Sequence, residues 1–388
     1  VGTSKAANPL FTLSNITYTS SPNLTASGNV KLNGGTVGKV DVGGDVEFTS
    51  AITAEGNVTV SNAGTLKLGG DSTFKGNLTN SGTFNVNEKT VKFSGTLDQS
   101  FTTNNATLKN VIFENTSAVT GVTVSGNLIA DDVSVNSGKV VCSNDVTGKA
   151  LTVETSSTLT LNGDATLESV LNKGTVSGAL GKSVKVTGTL DDSEGTWSHA
   201  GQIILHGNND TDNPQIFKAN TSTTYPDVSV QSNVEIRNAT QKGDLSVYKL
   251  TIGDSSNAKS LSAKSLSVDK NGGTLGTSSI NGSVSTQMDQ KYEGVVTLMG
   301  DSVFTVSYSD KQLSFIQGFT GASDKTITIN GNTEIAGTNT FGTVNITGDA
   351  TLFDSNTYTS LTCETAGKIL KFAGGKTQTV SGKKKIPG

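Results

Sequence analysis

The 388-residue sequence predicts an all-β chain wound into a right-handed parallel β-helix, a β-solenoid of short strands with Gly, Asn and Asp at its corners. Three observations carry this expectation. Apolar and polar residues alternate with period two along the chain. A short Gly-[Asn/Asp] phrase recurs at intervals that drift by a few residues. The composition lacks the bulky side chains that a thick two-layer core consumes.

The alternation is dense: VDV at 40–42, VTV at 58–60, LKL at 66–68, VKF at 91–93, LTL at 159–161, VEI at 234–236 and ITI at 327–329, among others. Such triplets place every second side chain on one face of a strand. No stretch sustains the i, i+3, i+4 spacing of a helix. Gly, Asn, Asp and Ser between the triplets supply turns.

The short phrase, Gly-[Asn/Asp]-x-x-apolar, starts at Gly28, Gly44, Gly56, Gly70, Gly163, Gly243, Gly300, Gly331 and Gly348, with degenerate copies at Gly76 and Gly126. A second, longer phrase, apolar-x-apolar-x-Gly-x-x-x-Gln-x-apolar, occurs at Val91 to Phe101 and again at Leu370 to Val380. A version with an insertion runs from Ile203 to Phe217, and a half copy starts at Val296. A solenoid tolerates this drift, because each turn need only return its apolar residues to a shared core while corners absorb insertions. The glycines are expected at corners requiring positive φ, and the Asn and Asp beside them to hydrogen-bond locally. One continuous solenoid over 1–388 is expected, with 191–226 as an enlarged loop or insertion. The first residue is Val rather than Met and the last residues stop in mid-pattern, which points to a piece of a longer, exported protein.

Composition agrees. Apolar residues make up 33% and aromatics 5%, with 45 Gly but only 5 Pro. Disordered chains favour Pro, Glu, Lys and Gln, where this one has Thr, Ser, Asn and Gly. The alternative architecture is a string of β-sandwich domains, whose cores normally pack a Trp or several Tyr. Here Trp197 is the only Trp.

The phrases GNVTV, GTLKL and FAGGKTQTV, together with the Asn/Gly/Thr/Ser-rich alternation, resemble bacterial cell-surface β-helix proteins. These are the autotransporter passengers and filamentous-haemagglutinin-like adhesins. The resemblance implies an extracellular or cell-surface structural role as adhesin shaft, stalk or filament subunit. ANPLF at Asn8 is the nearest match to that group's secretion-domain signature.

The net charge of −4 is dispersed, which argues against nucleic acid as a partner. Arg237 is the sole Arg, so bidentate grips on phosphate or carboxylate are scarce. No apolar run is long enough for a membrane span. Cys142 and Cys363 lie far apart beside apolar runs and read as buried free thiols. No cofactor is expected. Self-association end to end through strand edges, or a host or cell-surface glycan or protein, are the expected partners.

Chemistry, if any, is expected between Asp191 and Pro226, which holds both His residues and the only Trp. Asp191, Asp192, Glu194, Trp197, His199, His206 and Asp212 are the candidate ligand contacts, with Trp197 stacking on a sugar ring. A carbohydrate-binding or carbohydrate-cleaving β-helix is therefore the second functional reading, and it needs these groups to converge. Strand alternation puts Ile203 and Leu205 on one face and His206 on the other, exposed.

Overall fold

The computed structural model describes residues 11–16, 23–207, 210, 212–238, 241–270, 273–363, 365–375, 377–381 and 384–385. The ANPLF stretch at Asn8 lies outside them. Strands, turns and bends make up the described chain, and none of it is helical. Two compact units divide it, one of residues 1–183 and 194–200, the other of 184–193 and 201–388.

In the first unit, strands stack in parallel, one per turn on each face. One face is built by Leu24–Ala26, Val40–Val42, Val58–Val60, Leu78–Asn80 and Gln99–Thr102, and continues to Thr196–His199. Leu24, Val40, Val58, Leu78 and Phe101 share one register position, so the first four turns take 16, 18, 20 and 23 residues. A second face stacks Asp45–Phe48, Thr65–Leu68 and Thr83–Asn85. A third stacks Ile52–Ala54, Ser72–Phe74 and Thr90–Phe93. Each turn here is thus three short strands and three corners.

The second unit repeats the plan. Gln202–Leu205, Thr224–Val230 and Asp244–Ile252 stack on one face, and Gln215–Lys218 and Val234–Asn238 on another. Ser265–Val268, Gln290–Tyr292, Gln312–Phe315 and Asn332–Ile335 form a third. Among the described strands one pairing is antiparallel, the small hairpin Arg237↔Lys242. Parallel partners one turn apart exclude the sandwich alternative, whose sheets are antiparallel. The enlarged loop expected over 191–226 is narrower than that span. Thr196–His199, Gln202–Leu205, Gln215–Lys218 and Thr224–Val230 are strands, and the longest connection between them is 206–214.

Apolar triplets point inward as alternation requires. Val40, Val42, Val58 and Val60 are buried, while Asp41 and Thr59 between them are half-buried. The scarce aromatics are concentrated in columns. In the first unit Phe74, Phe93 and Phe113 occupy one register position on successive turns, with ring centroids 5.8 and 5.5 Å apart. In the second, Tyr292 stacks on Phe315 at 5.0 Å and Phe341 on Tyr358 at 5.0 Å. Burying like on like lets a thin core reach ordinary packing density with few large side chains.

The Gly-[Asn/Asp] phrase marks corners, but for different reasons from those expected. Of its glycines, Gly126 and Gly331 have positive φ; Gly44, Gly56, Gly70, Gly76, Gly163, Gly243, Gly300 and Gly348 do not. What they lack is room. A Cβ on Gly76 would sit 2.5 Å from the carbonyl carbon of Gly56 one turn below, and one on Gly163 would sit 2.3 Å from that of Asn144. Corners stack backbone on backbone, and only Gly permits that approach.

Nor do the Asn and Asp side chains bond locally. Asn57 Oδ1 accepts the Asn77 N–H at 2.9 Å, and Asn77 Oδ1 accepts the Ser100 N–H at 2.8 Å. Asp145 takes the Asp164 N–H at 2.9 Å, and Asp164 that of Ser183 at 2.8 Å. In the second unit Asn332 takes the Asp349 N–H at 3.1 Å and Asp349 that of Ile369 at 2.7 Å. Each oxygen serves a corner N–H of the next turn, so the phrase is an inter-turn joint.

The longer phrase is a second joint. Gln99 Oε1 accepts the Gly95 N–H at 2.9 Å, and its Nε2 donates to the carbonyls of Phe74 at 2.9 Å and Gly76 at 2.7 Å. Gln215 does the same in the second unit: Gly207 N–H at 2.8 Å, Val186 O at 2.8 Å and Gly188 O at 2.7 Å. A Cβ on Gly95 would lie 2.9 Å from the Gln99 amide, which explains the Gly four residues before the Gln.

Outward positions carry ion pairs between turns. Glu47 lies between Lys31 at 3.2 Å and Lys67 at 3.3 Å, and Asp131 between Lys109 at 2.7 Å and Lys149 at 3.1 Å. The second unit pairs Lys249 with Asp227 at 2.8 Å and Lys264 with Asp244 at 3.3 Å. Exposed pairs of this kind each contribute little. They do explain why a near-balanced charge is spread without patches.

These bonds set a pH dependence. The Ser183 N–H and hydroxyl hold Asp164 below the usual carboxylate range, and the Ser117 hydroxyl with the Thr120 and Gly121 N–H groups does so for Asp98. With folded values depressed below the unfolded value of about 3.9, their stabilisation is complete above that value and is lost as pH falls through the folded ones. Burial acts oppositely at high pH, raising Tyr292 and Tyr225 and pushing Cys142 up to about 12. That stabilisation is complete below the unfolded values, about 8.5 for Cys and about 10 for Tyr, and is lost as pH rises from there. Thermal melts should therefore show a plateau around neutrality with a falling melting temperature on both sides; a melting temperature that climbs towards pH 3 would contradict this.

Candidate functional site

The seven sequence-nominated residues divide between the two units, Glu194, Trp197 and His199 in the first and Asp191, Asp192, His206 and Asp212 in the second. In the first unit, alternation along Thr196–His199 turns Trp197 and His199 inward, leaving them 4% and 1% exposed. Their rings are 6.2 Å apart, and the His199 imidazole lies over Gly178, where a Cβ would meet it at 2.1 Å. Trp197 therefore presents no ring face for a sugar, contrary to the expected stacking role. Glu194 is exposed.

In the second unit, Asp191 accepts from Lys218 Nζ at 2.6 Å and from the Ser193 hydroxyl at 2.6 Å. Partial burial works to raise its pKa, but Lys218 and Ser193 outweigh it and hold the group ionised. Asp192 is fully buried and accepts the Tyr225 hydroxyl at 2.7 Å, while that hydroxyl takes the Asn220 N–H at 2.9 Å. Asp212 is exposed, its N–H donating to Asp210 Oδ1 at 2.9 Å. These contacts fasten strands and turns, and they engage the Asp191 and Asp192 carboxylates with protein.

Among the described residues no group of three or more His, Cys, Asp or Glu is arranged to hold a metal ion. Cys142 and Cys363 are buried and free, as expected from their apolar flanks. Burial raises both thiols, Cys363 with help from Asp349, which suppresses the thiolate that a nucleophile requires.

His206 faces solvent within a cavity, and its exposure matches the alternation. It lines a cleft of about 480 Å³ with Gln231, Asp254, Asn257, Lys259 and Met299. A His206 Nδ1 to Gln231 Oε1 contact of 3.1 Å sets the imidazole orientation. Apart from His206, the cleft's walls come from residues that sequence reasoning did not nominate. They lie 23 or more positions downstream, and only the stacking of turns brings them together.

The chain matches no protein-family model, no curated protein and no solved structure.

Proposed function

We propose that this chain is an exported bacterial structural protein of the cell surface, an adhesin shaft, stalk or extracellular filament subunit that works without catalysis. The observation that supports the reading is how its polar side chains are used. From Asn57 to Asp349, corner oxygens are committed to the N–H groups of the next turn. Buried glutamines fasten corners in both units, and outward charges pair between turns. A chain whose chemistry is spent on joining turns suits a role that depends on resistance to unravelling. Its partners under this reading are further copies of itself, end to end, or a host or cell-surface glycan or protein.

Antibody labelling of intact cells of the source organism, with and without external protease, tests the assignment. Labelling of intact cells that is lost on protease shaving is expected. Labelling that requires permeabilisation would overturn it.

A further inference from the structure

In the second unit the strand residues Leu205, Val230, Ile252, Ile280 and Leu298 share one register position. The residues that follow them, from His206 and Gln231 through Gly253 to Met299, therefore form one column along a corner. Gly253 interrupts that column. It has no side chain and a φ of +66°, and a Cβ there would sit 2.4 Å from Asn257 O. From it the chain turns into the 254–257 loop, which walls the cleft.

The loop is fixed rather than loose. Asp254 Oδ1 accepts the N–H groups of Ser256 at 2.7 Å and Asn257 at 2.9 Å, and Asn281 Nδ2 donates to Asp254 O at 2.5 Å. Gly253 N–H reaches Val230 O at 2.9 Å. A preformed wall lowers the ordering cost of binding.

We propose that this cleft is a binding site for a carbohydrate residue with vicinal hydroxyls. Its volume falls within the range of about 300–1,000 Å³ typical of small-molecule sites. The Asn257 amide is itself bound to the Asp254 carboxylate, its Nδ2 lying 3.1 and 3.0 Å from Oδ1 and Oδ2, and sugar hydroxyls suit the acceptor capacity that the pair keeps at Asp254 Oδ2 and Asn257 Oδ1. His206 and Lys259 add polar groups on the other sides, and the Met299 thioether supplies a soft apolar spot for the C–H face of a pyranose. One carboxylate against one ammonium gives no net charge with which to select a phosphate or a peptide acid. The site uses His206 but not Trp197, and it does not depend on the structural role proposed above.

An array of printed oligosaccharides, probed with the fluorescently labelled chain, tests this with His206→Ala, Met299→Trp and the distant control Lys67→Ala. Expected is binding to a defined subset of glycans, weakened at least about tenfold by either cleft variant, as for the loss of one or two hydrogen bonds, and unchanged by the control. His206 is exposed, so His206→Ala remains informative even if Met299→Trp misfolds. Binding to no glycan, binding that His206→Ala leaves unchanged, or binding confined to sulphated glycans and abolished by salt would overturn the proposal.

Discussion

Replacing Gln99 by Leu is expected to destabilise the first unit by about 3–5 kcal/mol, far more than its loss of one polar side chain suggests. The amide satisfies the Gly95 N–H and the carbonyls of Phe74 and Gly76, and it accepts from Asn115 Nδ2 at 2.7 Å. Leucine fills the space but strands the Gly95 N–H and the Gly76 carbonyl, while Phe74 O keeps the Ser94 N–H at 3.1 Å and Asn115 Nδ2 keeps Leu97 O at 2.7 Å. Each orphaned buried group costs about 1–3 kcal/mol, with some recovered by local relaxation. Urea unfolding followed by far-UV circular dichroism measures the loss, and a change below 1 kcal/mol would refute the assigned role.

Gln99→Glu separates hydrogen bonding from packing. A carboxylate at this position faces two carbonyl oxygens with no proton to offer, so its folded pKa must rise. Protonation restores one donor, and this variant should gain stability relative to wild type as pH falls through its raised folded pKa, the gain being complete by the unfolded Glu value of about 4.3. A pure packing effect would show no such pH dependence.

Much of the fold could be read from the sequence because period-two alternation is a local property. VDV, VTV, VKF and ITI are strands with inward apolar residues, and both repeated phrases are real corners. What the sequence could not show is the partner across the turn. Gly76 reads as a flexible residue until Gly56 is seen beneath it, and Asn77 reads as a local turn former until its oxygen is seen holding Ser100. The Gln of the longer phrase was visible as a pattern, but its three backbone partners span two turns.

The candidate site was legible in a different proportion. His206 followed from alternation, and the same rule applied to TWSH would have placed Trp197 and His199 on one inward face. Residue type, a lone Trp beside two His, drew attention away from that phase. The cleft around His206 had no local signal, since Asp254, Asn257 and Met299 reach it only through the register of Leu205, Val230 and Ile252.

The second large effect concerns register itself. Val58 stacks between Val40 and Leu78, so residues 58–77 are one complete turn. Their removal lets Leu78–Asn80 settle on Val40–Val42, Thr83–Asn85 on Asp45–Phe48, and Thr90–Phe93 on Ile52–Ala54. Asn57 then inherits the Ser100 N–H that Asn77 held. The Asn57 joint is re-formed and Gln99 meets the carbonyls of Ala54 and Gly56 in place of those of Phe74 and Gly76, while the Thr90 N–H gives up its bond to Asp71. Deleting only 58–67 removes half a turn, puts the 70–71 corner where a strand must lie, and leaves later strands without partners.

Comparing these two deletions by far-UV circular dichroism and thermal melting tests the claim that each turn is an interchangeable unit held by its corner joints. The prediction is that the 20-residue deletion keeps the β signature and a cooperative melt within a few degrees of wild type, while the ten-residue deletion loses both. Equal damage from the two deletions would contradict it.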